Sequence, residues 1–274
     1  MYREDGSSTV AHGALRAGPT LPDTQAEADT RGLVINSAGV AALRLPMQII
    51  DVDDTHWSTL VTAKAGVEVP AEARGTHMSR FVESLNERTT GPLLLEHLPD
   101  WVEGLRQRLE APAARVELAF SAFIAKTAPV SGRASLVEVP VRYQVRTDKE
   151  SGMRQYANVL ATSVCPCSRA ISERGAHNQR CEVRLELEVL EWVPLQELAA
   201  AVDAGASCGI YGILKRADEK AVTETGYDNA KFVEDVVRDV YAALTSDPRI
   251  TSLSVEACSQ ESIHGHDATA LIEG

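Results

Sequence analysis

The chain has 274 residues, with 27 Lys and Arg against 39 Asp and Glu, which gives a formal net charge of −12 at pH 7. Its 44% hydrophobic and 24% charged residues are typical of a globular protein and exclude the disordered and fibrous classes. The acidic balance disfavours a nucleic-acid partner, and no apolar run reaches the ~18 residues of a membrane span. We expect a cytoplasmic protein whose five cysteines are reduced thiols.

The predicted elements form two similar sets after an N-terminal arm at residues 1–42. The first set has β-rich runs at 47–52 and 57–69, helical spacing at 81–85 and 101–109, and alternating runs at 116–121 and 137–145. Pro140 lacks a backbone donor, which predicts an edge position for the last of these strands. The second set has strands at 156–164 and 181–189, helices at 195–202 and 233–244, and strands at 250–257 and 267–272.

Each set therefore consists of two strands, two helices and two strands. Alternation of apolar and polar residues is typical of antiparallel sheets with one buried face. This order predicts an α+β protein with two tandem modules, at 43–150 and 151–274, in which helices cover one face of each sheet.

The densest reactive segment follows the strand at 156–164 and contains Cys165, Cys167 and His177. A thiolate and an imidazole are good ligands for a borderline cation such as zinc. The spacing matches no structural zinc finger, which favours an open catalytic site over a closed structural one. Two other interpretations stay open: ordinary loop and core residues, or a redox pair of Cys165 and Cys167.

A second cluster, near the end of the chain, contains Glu261, His264 and His266. In an extended segment the two histidines project on the same face. There they could ligate a metal or transfer protons at neutral pH, or they could be two solvated histidines.

Two carboxylates have both a functional and an ordinary interpretation. Glu219 lies in a charged stretch that by default is solvated. Glu234 could form an i,i+4 pair with Arg238, or could accept hydrogen bonds from a planar pair of N–H donors. No glycine-rich phosphate loop occurs, which disfavours P-loop and Rossmann proteins.

Several longer phrases, in the same order, resemble those of the prokaryotic type IB GTP cyclohydrolase I family. They are LPDTQ and DTRG near the N-terminus, GTHMSRFVESLNE at 75–87, SVCPCSRAISERGAHNQR at 163–180, LKRADEKAVTETGYDNAKFVEDVVRDV at 214–240 and ESIHGH at 261–266. The resemblance covers most of the chain from about residue 21. It implies a tunnelling fold whose subunits close their sheets into barrels in a homotetramer, with active sites at subunit interfaces.

The resemblance also implies a divalent metal, Zn, Mn or Fe(II), without NAD, flavin or PLP. Cys165 would be a metal ligand, with His177 and Glu219 as its companions. Glu234 would accept hydrogen bonds from guanine N1–H and the exocyclic amine. Glu261, His264 and His266 would act as acid/base groups or, in part, as further metal ligands. The sequence departs from the family pattern at Ala217, Gln260 and Gly265. These departures bear on the local geometry of a turn and of the rim of the implied site.

The implied reaction converts GTP and water to 7,8-dihydroneopterin triphosphate and formate, as the first step of pterin and tetrahydrofolate synthesis. Because the chain is acidic, the triphosphate must be bound by local cations. The candidates are Lys215, Arg216, Arg180, and Ser79 with Arg80 at a predicted helix start. Two alternatives stay open: a nitrile reductase of the same fold, with a cysteine nucleophile and NADPH, and a non-catalytic zinc-binding protein.

Overall fold

The computed structural model describes residues 23–25, 27–148 and 152–274. Its strands are β1 (Ile35–Ile50), β2 (His56–Val69), β3 (Leu93–Leu94), β4 (Ala114–Thr127), β5 (Ala134–Arg146), β6 (Gly152–Val164), β7 (Asn178–Val189), β8 (Cys208–Gly209), β9 (Ile250–Ser259) and β10 (Ala268–Glu273). Its α-helices are α1 (Met78–Glu87), α2 (Leu98–Arg108), α3 (Pro166–Ile171), α4 (Leu195–Gly205), α5 (Arg216–Asp228) and α6 (Val233–Leu244). A short 3₁₀ turn at Leu95–His97 precedes α2.

The strands form one sheet in the order β10-β9-β7-β6-β5-β4-β2-β1-β3, with β8 paired to β6. All the pairs are antiparallel except the short one between β1 and β3. The predicted order of two strands, two helices and two strands is present in each half, with β3, α3, β8 and α5 as additions. The sheets of the two halves join where β5 pairs with β6.

Helices cover one face of this sheet, as the alternating residues predict. In β4, the side chains from Val116 to Ile124 alternate between buried and more exposed positions. Helices α1 and α2 contact the strands of the first half, and α4, α5 and α6 contact those of the second. In the described part of the chain, no helix is long and apolar enough to cross a membrane.

The two halves share one hydrophobic core. The indole N–H of Trp192 donates to the carbonyl of Leu95 across the halves (2.8 Å). The carboxylate of Asp51, at the end of β1, accepts from the backbone N–H of Leu195 at the start of α4 (2.9 Å). The halves therefore cannot separate without breaking buried contacts.

Strand β1 begins at Ile35, within the segment predicted as an arm, and residues 35–40 pair with β2. The rest of that segment includes residues 1–22 and 26, which lie outside the described residues. The boundary predicted near residue 150 also falls on undescribed residues, 149–151.

The prediction of an edge strand from Pro140 is wrong, because β5 is an interior strand. The pairing of β5 with β6 starts only at Val141. Pro140 is therefore one residue outside that ladder, and its missing donor removes none of the bonds to β6. Where β5 and β6 diverge, β8 pairs with the free side of β6 at Ala161 and Thr162.

Helix α5 lacks a strong apolar stripe, and only Asp218 and Gly226 are buried in it. Asp218 holds the helix in place, because its carboxylate accepts from the backbone N–H groups of Val130, Ser131 and Lys215 and from the Ser131 hydroxyl, at 2.7–2.8 Å. These bonds attach α5 to the turn between β4 and β5 and hold the pKa of Asp218 below its usual value.

Candidate active site in the second half

A cavity of about 360 Å³ lies where β6, β7 and β9 meet the start of α6. Cys165, which directly follows β6, lines it together with Glu234 from the first turn of α6. Glu261 and His266 line it from the loop between β9 and β10. The cavity therefore brings together residues that lie up to about a hundred positions apart in the sequence.

The local sequence holds Cys165 at the start of α3. Pro166 occupies the first helical position, where a missing backbone donor costs nothing, and the backbone N–H of Ser168 donates to the Cys165 sulfur (3.4 Å). The backbone N–H of Cys165 donates to the carbonyl of His177 (3.1 Å), which closes the loop between β6 and β7. All five cysteines are free thiols, and Cys167 is exposed.

His177 lies next to Glu261 and Gln179. Its Nδ1 is 2.9 Å from the Gln179 Oε1 atom and 3.7 Å from the Glu261 Oε2 atom. The side chains of His177 and Glu261 are only 12% and 13% exposed. The Glu261 Oε2 atom is buried and has no hydrogen-bond partner among the described residues, which marks it as a position for a bound group or proton.

His264 and His266 lie in a loop rather than in an extended strand, and both are exposed. Their rings are nevertheless stacked, with centroids 5.2 Å apart and planes 22° apart. The His264 ring also meets the His177 ring edge-on at 6.3 Å. The three predicted histidines therefore form one cluster.

Glu234 is exposed to the cavity rather than paired with Arg238. The Arg238 guanidinium is instead 3.6 Å from Asp235, and no ion-pair partner for Glu234 occurs among the described residues. Lys231 fixes the start of α6, because its ammonium donates to the carbonyl of Gly205 (2.9 Å) and to Asp239 (2.8 Å). Phe232, 41% exposed, lines the cavity beside Glu234.

Four other predicted residues lie outside this cavity. Glu219, Lys215 and Arg216 are exposed at the start of α5 and do not line it. Arg180 is exposed on the sheet face opposite the buried Cys181. Among the residues that the structure describes, no three His, Cys, Asp or Glu side chains are arranged to hold a metal ion, so the predicted set of Cys165, His177 and Glu219 is not assembled.

Ser79 and Arg80 lie at the opposite end of the sheet. Arg80 lines a second cavity, of about 440 Å³, with Asp23, Gln25 and His77. This cavity adjoins Val67. The strand pairing from β2 through β4 and β5 puts the preceding residue, Gly66, level with Gly152. Cys165 follows the other end of β6, whose 13 residues span about 40 Å.

Sequence reasoning missed several residues that build the first cavity. Ser163, Gln179, Ser259 and Phe232 line it, but they are neither metal ligands nor ordinary acid/base groups. The sequence does hold one signal for Gln179, which is its position two residues after His177 at the start of strand β7. Asp23 and Gln25 belong to the LPDTQ phrase, to which no chemistry was assigned.

The chain is similar to known proteins over most of its length. The family model described as "Type I GTP cyclohydrolase folE2" matches residues 21–270. A GTP cyclohydrolase FolE2 of Burkholderia pseudomallei (strain 1710b) is 44% identical over 256 residues, covering 92% of this chain and 95% of the relative. One from Paraburkholderia phymatum is 44% identical over 255 residues, covering 92% and 94%.

Two solved structures share the fold. A uricase from Arthrobacter globiformis has a TM-score of 0.52 at 10% identity, over 87% of this chain and 92% of that one. A hyper-thermostable uricase mutant has a TM-score of 0.50 at 11% identity, over 88% and 91%. These likenesses confirm the predicted α+β tunnelling fold. The matches in sequence establish that the chain belongs to the type I GTP cyclohydrolase FolE2 family.

Proposed function

We propose that this protein is a GTP cyclohydrolase that converts GTP and water to 7,8-dihydroneopterin triphosphate and formate. The observation that carries the proposal is the cavity between β6 and α6. It combines a thiol, two acid/base groups and an unpaired carboxylate, at Cys165, Glu261, His266 and Glu234. Family membership at 44% identity supports the same activity.

Glu234 recognises the guanine base in this proposal. A carboxylate with no competing cation can accept two parallel hydrogen bonds from N1–H and the exocyclic amine. Lys231 is occupied by Gly205 and Asp239 and so leaves Glu234 unpaired. The exposed ring of Phe232 offers an apolar surface against which a purine can pack.

The donor atoms at Cys165, His177 and Glu261 fit a divalent ion in type. Thiolate, imidazole and carboxylate are the ligands that zinc and similar ions take, and the buried Glu261 Oε2 atom lacks any other partner. We propose Cys165 and His177 as ligands and, from the family resemblance alone, Glu219, which in this single chain does not line the cavity. A bound divalent ion would supply hydroxide at neutral pH by lowering the pKa of water.

The remaining groups transfer protons. His264 and His266 lie stacked at the exposed loop, where an imidazole can protonate a ring nitrogen of guanine as the bond to C8 opens. Glu261 is placed to accept a proton, since its Oε2 atom makes no hydrogen bond within the described residues. A second hydrolysis then breaks the other C8–N bond and releases formate. Opening of the ribose, its rearrangement and closure on the freed amine with loss of water need only proton transfers, which His264 and His266 can supply.

If Ser79 and Arg80 bind the triphosphate, they must belong to a second subunit. Ser79 and Arg80 lie about 40 Å of strand away from Cys165 in the same chain, too far for one GTP to span. We therefore propose that the α1 start of one subunit binds the triphosphate of a GTP held in the cavity of another, within a homotetramer. Lys215, Arg216 and Arg180 are further candidates.

The decisive assay uses metal-stripped protein, GTP, and added Zn, Mn or Fe(II). We expect formate and a fluorescent pterin after oxidation, only with metal, and a loss of at least ~100-fold in Cys165→Ala, as for removal of a ligand. Tight metal binding without turnover would instead support a zinc-binding protein. NADPH consumption with a nitrile-bearing deazapurine, unaffected by chelator, would support the reductase.

A further inference from the structure

We propose that Gln179 is a positioning residue that holds His177 with its proton on Nδ1, which leaves Nε2 as the unprotonated nitrogen. The inference rests on the proposed function, in which His177 is a metal ligand. Metals bind neutral imidazole through the nitrogen without a proton, and the bond made by the other nitrogen decides which one that is.

The Gln179 amide turns its nitrogen toward Ser163 and its oxygen toward His177. Its Nε2 atom donates to the hydroxyl of Ser163 (2.9 Å), and Ser163 Oγ is 3.1 Å from Ser259 Oγ. Ser163 and Ser259 are 1% and 2% exposed, so water cannot replace these partners. With the amide nitrogen engaged there, the amide oxygen faces His177 Nδ1 at 2.9 Å and can only accept.

Glu261 also favours the tautomer of His177 with its proton on Nδ1. Its Oε2 atom is 3.7 Å from His177 Nδ1, and a bare lone pair on Nδ1 would face both that carboxylate and the amide oxygen. A proton on Nδ1 removes the repulsion, donates to the Gln179 amide oxygen and turns a positive hydrogen toward the Glu261 carboxylate. No hydrogen bond to His177 Nε2 occurs among the described residues, so that nitrogen is left for a ligand.

The first test needs no metal and no GTP. In metal-free protein with ¹⁵N-labelled histidine at pH 8, a two-bond ¹⁵N–¹H correlation spectrum reports which ring nitrogen carries the proton, and His177→Gln assigns the signal. We expect the Nδ1–H tautomer in the wild-type chain and a mixture in Gln179→Leu. The Nε2–H tautomer in the wild type would overturn the inference without touching the proposed reaction.

The second test is zinc affinity, measured by competition with a chromophoric chelator. Gln179→Leu is expected to weaken binding about 10- to 100-fold, as loss of a hydrogen-bond partner of a metal-binding histidine does. Gln179→Glu, which keeps an acceptor oxygen, should stay within about 3-fold of the wild type. The matched control is Gln144→Leu, on the open face of β5, which should not change the affinity.

Ser163→Ala keeps the inference testable if Gln179→Leu does not fold. It removes the acceptor for the Gln179 amide but leaves Gln179 and His177 in place, and we expect a smaller loss of zinc affinity in the same direction. Affinities equal to that of Gln144→Leu in all three variants would assign Gln179 a merely structural role. If the wild type binds none of Zn, Mn and Fe(II), the metal assignment of the proposed function fails, while the tautomer still decides the role of Gln179.

Discussion

The two halves of the chain have the same order of elements but place their reactive residues at opposite ends of the strands. In the second half, the cavity with Cys165 and Glu234 lies at the far end of β6. In the first half, the cavity with Arg80 and His77 lies level with the beginning of β6. The two halves therefore present two different cavities at opposite ends of the sheet, one lined by Cys165 and Glu234 and the other by Arg80 and His77.

Oligomers that mix two variants, one altered in each cavity, give the most severe test of the proposed division of the active site between two subunits. Cys165→Ala should lose at least ~100-fold in activity, and Arg80→Ala about 10- to 100-fold through a lost phosphate contact. If each site combines two subunits, co-expressed mixed oligomers of the two variants should recover about a quarter of wild-type activity, because a quarter of sites then draw both intact halves.

The control mixture combines Cys165→Ala with Glu234→Ala. Both residues line the same cavity of one chain, so every cavity lacks one of them and no recovery is expected. Recovery in this mixture, or none with Arg80→Ala, would show that the sites are not divided as proposed. Activity of oligomers purified through two different tags decides between these outcomes.

Glu234→Gln sharpens the description of the second-half site. Because an amide presents one acceptor where the carboxylate presents two, we expect kcat/KM for GTP to fall about 10- to 100-fold. The preference for GTP over ITP, which lacks the exocyclic amine, should fall as well. Glu224→Gln, an exposed carboxylate paired with Lys220 on α5, is the control. An unchanged preference would place the base elsewhere.

Most of the fold was predictable because short-range patterns of apolar and polar residues determine its strands and helices. Alternation in β4, β5 and β7 gave the strands and the buried face, and two periodic helices were found in each half. Helix α5 was missed because hydrogen bonds to Asp218, not an apolar stripe, fix it. Pro140 misled because one residue cannot show where a ladder starts.

The candidate site was predictable in its chemical groups but not in its distances. The sequence indicates Cys165, His177 and the cluster of Glu261, His264 and His266 as reactive residues. Nothing in it places Arg80 at the other end of the sheet. That separation depends on the register across four strands. Spacing likewise cannot show that Arg180 faces away from its neighbour Gln179, unless the strand that holds both is known.

Asp218→Ala tests how the halves are connected away from the sheet. The substitution leaves the backbone N–H groups of Val130, Ser131 and Lys215 without their acceptor, and we expect the free energy of unfolding to drop by at least about 3 kcal/mol. Because the pKa of Asp218 is lowered in the fold, its contribution is present above pH 4 and lost as the pH falls. The loss should therefore shrink in acid.

Denaturant unfolding at pH 7 and pH 3 measures this difference. Asp228→Ala is the control, since Asp228 lies at the exposed end of the same helix and is 3.8 Å from Arg169. Equal losses for the two variants at pH 7 would mean that the turn between β4 and β5 does not depend on Asp218.

Substitution of Asp51 tests the buried contact between β1 and α4. We expect it to have the smallest effect of these variants. Burial raises its pKa to about 6, although Leu195 and Val52 donate to the carboxylate. A raised pKa means that folding favours the neutral carboxyl. Its stabilisation is therefore complete below pH 4 and is lost as the pH rises through 6. Two pKa units correspond to about 3 kcal/mol at most.

Asp51→Asn keeps an oxygen for the Leu195 N–H but cannot ionise, so it should gain stability relative to the wild type as the pH rises from 4 to 7. Unfolding free energies at several pH values measure the gain, with Asp100→Asn, an exposed carboxylate in α2, as the control. If the difference between Asp51→Asn and wild type is the same at pH 4 and pH 7, folding does not raise the pKa of Asp51. The junction between the halves would then be a charged helix cap, stabilised by the positive end of α4, rather than a neutral buried contact.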